Sequence, residues 1–290
     1  MPKIILTGGY QMSDIIHENY VKDKVVIITG ASSGFGLLTA KRLAELGGKP
    51  VLLARNEEKL KAVVEEIKAA GGEAAYAVCD VSKYDDVKAA VKFTVDTNGC
   101  VDVLVNNAGT MPLGFYAEHE TAMPAWEQCI DISIKGTLYG ICAVYNQMMA
   151  QGRGQVINIS SIWGNYPAAG AAVYQVAKKG VEYLGESLRS EAQGKIKVTI
   201  IKPTGFMTTN LINTVVNPMA SMALASDITG VQDWLATLYD RPDYNDINSM
   251  NYGNPDPQIL ADAIIYAIDQ PWGVSVSNLT VRATGEKYIL

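Results

Sequence analysis

A chain of 290 residues, 48% of them hydrophobic, has material for one large α/β domain or two small ones around a sizeable core. Its formal charge of −6 and pI near 5.1 exclude the basic field that nucleic acid phosphates require. No apolar run approaches the roughly 18–20 residues that span a bilayer. The N-terminus lacks a basic stretch followed by an apolar core, so no signal peptide, no membrane partner and a cytoplasmic location are expected.

Residues 1–22 precede the first core strand. They include an apolar stretch, Ile4–Leu6, and form an N-terminal extension expected to pack on its own domain or on a neighbouring subunit. Val25–Ile28 is a run of β-branched residues, the signal of a strand buried on both faces. Gly30, Gly34 and Gly36 follow, then a helical pattern over 37–46 that stops at Gly47-Gly48. Strand, glycine turn and helix in that order aim backbone N–H groups and a positive helix end at a pyrophosphate. An ordinary βα turn with incidental glycines reads the same way at this stage.

Further strands are predicted over 50–55, 74–79, 101–105, 155–160, 197–201 and 274–283. Helices are predicted over 56–70, 84–97, 123–150, 173–192 and 256–270. Between 206 and 257 the period is lost, and a loop of this length in an α/β domain is expected to be a substrate lid. The alternation predicts parallel βαβ units with right-handed crossovers. Residues 23–290 are therefore expected to form a single α/β domain, a doubly wound parallel sheet of about seven strands. Ligands belong at the C-terminal ends of its strands.

The cysteines, Cys79, Cys100, Cys129 and Cys142, have no metal-ligand spacing and are expected as buried thiols in a reducing compartment. Only His17 and His119 are present, so neither a metal site nor a histidine triad is expected. His119 reads as a solvated loop residue.

Tyr174 and Lys178 stand at i and i+4, on one face of a helix. A lysine cation beside a phenol, together with a positively charged nicotinamide ring, favours the phenolate and is expected to bring its pKa from about 10 toward neutrality. Such a tyrosine can exchange a proton with a substrate oxygen. The spacing alone is weak, since Tyr20/Lys24 and Tyr84/Lys88 share it. Only Tyr174 has a serine 13 residues upstream at the end of a core strand, Ser161. That serine can hydrogen-bond a developing alkoxide or simply cap a turn.

Taken together, Thr29-Gly30-x-x-x-Gly34-x-Gly36, Asn106-Asn107-Ala108-Gly109, Ser161 and Tyr174/Lys178 resemble the short-chain dehydrogenase/reductase family in order and spacing. The likeness covers roughly residues 23–209. It implies a Rossmann fold, hydride transfer between nicotinamide and a carbonyl or secondary alcohol carbon, and a homotetramer. By the resemblance, the catalytic residues are Ser133, Ser161, Tyr174 and Lys178. Gly30, Ser32, Ser33, Gly34, Phe35 and Gly36 would hold the cofactor with Arg55, Asp80, Val81, Asn107, Ala108 and Gly109. Tyr174, Lys178, Pro203, Gly205 and Thr208 would complete that site.

Two positions depart from the family pattern. Ser133 stands where asparagine is usual, so a water relay through Lys178 would be altered. Gly205 lies one position late after Pro203, so the loop over the nicotinamide is expected to be shaped differently. The end of the second strand, Ala54-Arg55-Asn56, has no carboxylate to repel a 2′-phosphate, which favours NADP(H) over NAD(H). Both cofactors stay open, because Arg55 can instead stack on adenine.

On the substrate side, Ser161, Trp163, Tyr174 and Met207, with Met111, Tyr166, Leu211, Met219 and Met222, point to an apolar small molecule. Bacterial hydroxysteroid dehydrogenases resemble the chain in this respect. Other ketones, acyl-thioesters or sugars remain as substrates, and so does a non-catalytic nucleotide sensor on the same fold.

Overall fold

Alternation along one strand organises the molecule, for which a computed structural model describes residues 18–206, 210–221 and 243–286. In β1 (Val25–Thr29), Val26 and Ile28 point to one face and Val25 and Ile27 to the other, and all four are buried. The strands that join it are β2 (Lys49–Ala54), β3 (Ala75–Val78), β4 (Val103–Asn106), β5 (Gly154–Ile159), β6 (Ile196–Pro203) and β7 (Asn278–Val281). They form a seven-stranded sheet in the order β3-β2-β1-β4-β5-β6-β7, parallel at every pairing. The order steps outward from β1 to β3 on one side and from β4 to β7 on the other. Connections diverge at the β1/β4 boundary and open a crevice at the carboxyl ends of the strands.

The crossovers are α1 (Gly34–Glu45), α2 (Glu57–Ala69), α3 (Tyr84–Asn98), α4 (His119–Cys129), α5 (Gly136–Gln151), α6 (Ala172–Glu191) and α7 (Pro257–Ile268). Leu43 of α1, Val64 of α2 and Ile264 of α7 pack on one face of the sheet. Val91 of α3, Val144 of α5 and Leu188 of α6 pack on the other. This is the doubly wound parallel sheet expected from the alternation of elements.

Several elements differ from their expected bounds. The helix expected over 123–150 is divided: between α4 and α5 lies a π-helical turn, Ile130–Lys135. A π turn admits an extra residue and turns Ile132 and Ser133 inward, a phase change that apolar periodicity does not register. Helix α1 begins at Gly34, so Gly34 and Gly36 belong to its first turn. Strand β7 is confined to the four residues that pair with β6.

Of the thiols expected to be buried, Cys79 and Cys129 are. Cys100 is half-buried and Cys142 is exposed, and all four are free. His119 is exposed, as the loop reading held, but it opens helix α4. Of the N-terminal extension, residues 1–17 lie outside the described residues. Val21, just before β1, is fully buried in the core. Among the described residues no helix is long and apolar enough to cross a membrane, and no group of metal-binding side chains occurs.

Candidate functional site

The turn after β1 is shaped by three glycines with different duties. Gly30 and Gly34 have φ of +66° and +55°, a region that side chains rarely adopt. A Cβ on Gly34 would meet nothing within 4 Å, so the space above it belongs to the crevice. Gly36 faces inward instead: a Cβ there would lie 2.7 Å from Asn107 Nδ2. That amide donates to Thr29 O at 2.8 Å, while Thr29 Oγ1 accepts the backbone N–H groups of Asn107 and Ala108 at 2.9 and 3.0 Å. Thr29 and Asn107 therefore stitch the glycine turn to the end of β4. Gly36 serves their close packing and is not among the residues that line the cleft.

The crevice encloses about 540 Å³. Gly30, Ser32, Ser33, Gly34 and Phe35 line it from the glycine turn; Arg55, Asp80 and Val81 line it beyond the ends of β2 and β3. Asn107, Ala108 and Gly109 contribute from beyond β4, and Tyr174, Lys178 and Pro203 from α6 and β6. Arg55 is exposed, while Asn56 accepts a hydrogen bond from Lys59 N at 2.9 Å and caps α2. The Asp80 carboxylate accepts from Ser82 N and Ser82 Oγ at 3.1 and 2.7 Å, which shapes the turn after β3.

Ser133, Ser161, Trp163 and Gly205 are not among the lining residues but sit just behind them. Met207 and Thr208 lie outside the described residues. The lining also takes in Leu53, Cys79, Thr110, Ile132, Ile159, Ser160, Asn210 and Thr214, which the motifs missed. Leu53, Cys79, Ile159 and Ser160 occupy or directly follow strand carboxyl ends, a signal that could have found them.

At the β5 end, Ser161 Oγ accepts the Trp163 N–H at 3.2 Å and caps the 3₁₀ turn Ile162–Gly164. It is also hydrogen-bonded to the Tyr174 phenol, so the capping and site readings hold together. Lys178 Nζ donates to Ile159 O at 2.9 Å and stands 5.8 Å from the centre of the Tyr174 ring. Tyr174 and Lys178 are buried, at 4% and 5% exposure.

Burial pushes the Tyr174 phenol up to about 12, against the opposing hydrogen bond from Ser161. Burial also draws the Lys178 ammonium down to about 8. Burial thus opposes the fall that Lys178 and a bound nicotinamide together are expected to bring. Desolvation penalises both charged forms, and it weakens the cation that was to stabilise the phenolate.

Ser133, in the π turn, is 1% exposed, with its Oγ 4.0 Å from Cys129 Sγ. A Cβ on Gly109 would lie 3.4 Å from Lys178 Nζ and 3.7 Å from Ser133 Oγ, so both groups border one small space. The other two Tyr-x-x-x-Lys pairs lie elsewhere. Lys24 is buried, donating to Ile268 O at 2.6 Å, and Lys88 lies over Tyr84 on the outside of α3.

Beside Tyr174 is an apolar cluster of Leu113, Ile162, Trp163, Ala171 and Ala220, with Met111, Phe115, Tyr166 and Val215 packed against it. Leu211 lines the crevice. Met219 is 59% exposed and is no part of this wall, although the next residue, Ala220, is buried in it. Met222 lies outside the described residues.

Against known proteins, the family described as short chain dehydrogenase matches residues 24–218. An uncharacterized oxidoreductase of Listeria monocytogenes is 39% identical over 274 residues, covering 92% of this chain and 99% of that one. An uncharacterized oxidoreductase of Staphylococcus saprophyticus is 34% identical over 273 residues, with the same shares of each chain. Among solved structures, a metagenomic short-chain oxidoreductase in complex with NADP is 30% identical, with a TM-score of 0.69 over 91% of this chain and 99% of that one. The closed form of a serine dehydrogenase complexed with NADP+ is 26% identical, with a TM-score of 0.74 over 91% of this chain and 96% of that one.

Proposed function

The chain belongs to the short chain dehydrogenase family, and we propose that it is an NADP-preferring oxidoreductase that interconverts a ketone and a secondary alcohol on an apolar, steroid-sized molecule. The observation that carries this reading is the meeting of Ser161, Tyr174 and Lys178, all buried, at one side of the crevice that the glycine turn opens. The crevice fits a dinucleotide. A Cβ on Gly34 would meet no protein atom within 4 Å, and Gly109 leaves open the space that Lys178 and Ser133 border. Gly34 and the first turn of α1 would hold the pyrophosphate through backbone N–H groups. Asp80 and Val81 would take the adenine, and Lys178 the nicotinamide ribose. When bound, the nicotinamide supplies or removes the electron pair at the reacting carbon.

The chain's own residues handle the proton. Tyr174 Oη gives a proton to, or takes one from, the substrate oxygen, and Ser161 Oγ, bonded to that phenol, orients the same oxygen. With its phenol raised to about 12 by burial, Tyr174 is protonated at neutral pH and enters reduction as the acid. Lys178, at about 8, exchanges its proton near physiological pH and can refill Tyr174. Ser133 Oγ, beside the same space, is the next hydroxyl along that route.

Arg55 favours the 2′-phosphate: it is exposed at the crevice beyond β2, with no carboxylate adjoining it in Ala54-Arg55-Asn56. Two of the similar solved structures are NADP complexes. The cluster around Trp163 favours an apolar substrate, and Asn210, Leu211 and Thr214 line the crevice; of the segment expected as a lid, 207–209 and 222–242 lie outside the described residues. A homotetramer in the cytoplasm belongs to the same reading.

The test is NADPH and NADH oxidation against a ketosteroid, a medium-chain ketone, an acetoacetyl thioester and, in the oxidative direction, serine. The ketosteroid is expected to turn over with NADPH. Tyr174→Phe is expected to bind NADPH normally and to lose at least about a hundredfold in kcat. Undiminished turnover by that variant refutes the assignment of Tyr174.

A further inference from the structure

We propose that Glu286, beyond the last strand, is a positioning residue that holds the loop after β6 in its cofactor-facing shape; this rests on the cofactor reading above. Strand β6 ends at Pro203, which lines the crevice, and the chain beyond it is held at two points. On one side Phe206 stands edge-on to Phe35 of the glycine turn, with ring centres 5.3 Å apart. On the other, Gly205 N donates to Glu286 Oε1 at 2.9 Å, and Thr204 Oγ1, which donates to Val281 O at 3.3 Å, lies beside the same carboxyl.

The carboxyl is delivered by a tight turn. Glu286 N donates to Ala283 O at 3.3 Å, and Arg282 Nη2 donates to Glu286 O at 2.7 Å. Gly285 N donates to Tyr252 O at 2.7 Å, and a Cβ on Gly285 would collide with the Asn251 carbonyl. Residues 282–286 thus form a strap wedged between 251–252 and the loop 204–206. Glu286 Oε2 is buried without a hydrogen-bond partner. Burying a carboxyl on such terms is costly, and an apolar side chain would fill the space at less cost. What the carboxyl supplies is the acceptor for Gly205, at the position where this loop carries its late glycine.

Sheet order separates the two ends of the crevice. Arg55 and Asp80 lie beyond β2 and β3, on one side of β1, while Pro203 ends β6, on the other. Releasing the loop therefore affects the nicotinamide half of the dinucleotide and leaves the adenine half alone.

The experiment is calorimetric titration of the full chain with NADPH and with adenosine 2′,5′-bisphosphate, which lacks the nicotinamide half. Glu286→Ala is expected to weaken NADPH by about tenfold, the effect of one charged hydrogen bond, and to leave the bisphosphate unchanged. Glu286→Gln, whose amide oxygen can accept from Gly205, is expected to stay within about threefold of the natural chain. Gly285→Ala pushes the strap off Asn251 without touching the carboxyl, and the same selective loss is expected; it carries the test if Glu286→Ala does not fold. Equal weakening of both ligands, no weakening of either, or a Gln variant no better than Ala overturns the proposal. A natural chain that binds the bisphosphate but not NADPH also overturns it, whereas failure of both ligands overturns the cofactor reading beneath it.

Discussion

Replacing Lys178 by methionine is expected to destroy turnover and yet raise stability at neutral pH. The fall of the ammonium from its ordinary 10.5 to about 8 comes from burial. At 1.36 kcal/mol per tenfold, that is about 3 kcal/mol held against the folded state while the lysine is charged. Methionine has a similar length and no charge, so this cost disappears. Its removal also leaves the Ile159 carbonyl, which now accepts from Lys178 Nζ at 2.9 Å, without that donor. An orphaned buried acceptor returns about 1–2 kcal/mol. The net gain is about 1–2 kcal/mol at pH 7, or roughly 2–8 °C in Tm at about 2–4 °C per kcal/mol.

The sign of the pH dependence follows from the lowered pKa. Between pH 8 and 10.5 the unfolded chain binds the extra proton, so the natural chain gains stability as pH rises through that window. The variant lacks the group and does not gain from it. Its advantage is therefore full below pH 8, shrinks above it and reverses by about pH 10.5, where only the lost hydrogen bond remains. Paired thermal melts from pH 7 to 10.5 measure the difference. A variant that melts lower at pH 7, or a gap that does not change with pH, refutes the reasoning.

Four further substitutions test other parts of the molecule. Gly36→Ala drives a methyl to 2.7 Å from Asn107 Nδ2 and is expected to lower stability by about 1–2 kcal/mol despite better helix propensity. Gly180→Ala, whose methyl meets Ile134 Cδ1 at an ordinary 3.4 Å, is expected to raise it by about 0.5–1 kcal/mol in the same melts. Arg55→Glu is expected to raise the KM for NADPH at least about tenfold and to leave that for NADH within about threefold; equal effects on both place Arg55 outside phosphate recognition. Thr110 Oγ1 is buried without a partner, so Thr110→Val is expected to raise stability by about 1 kcal/mol, read as a Tm increase, and a fall reveals a partner that the hydroxyl keeps.

Local signals and short spacings by themselves determined a good deal. β-Branched runs and glycine stops announced a parallel α/β sheet, because each crossover must bury one stripe of a helix on a twisted strand pair. The i, i+4 spacing put Tyr174 and Lys178 on one helical face, and the strand end before Ser161 put it at the mouth of the sheet. Those relations depend on backbone periodicity, which the chain carries in its own order.

The remaining features depend on atoms distant in sequence. Gly36 reads as a phosphate glycine until Asn107, 71 positions away, is seen to fill its space. The π turn that turns Ser133 inward adds a residue to a helix whose apolar pattern continues on both sides. The pKa values of Tyr174 and Lys178 follow burial, which no spacing of charges reveals. Glu286 lies 81 positions from Gly205, and only the pairing of β6 with β7 brings its carboxyl to that amide. Local preference is encoded within a few residues, whereas desolvation and close packing are properties of the assembled whole.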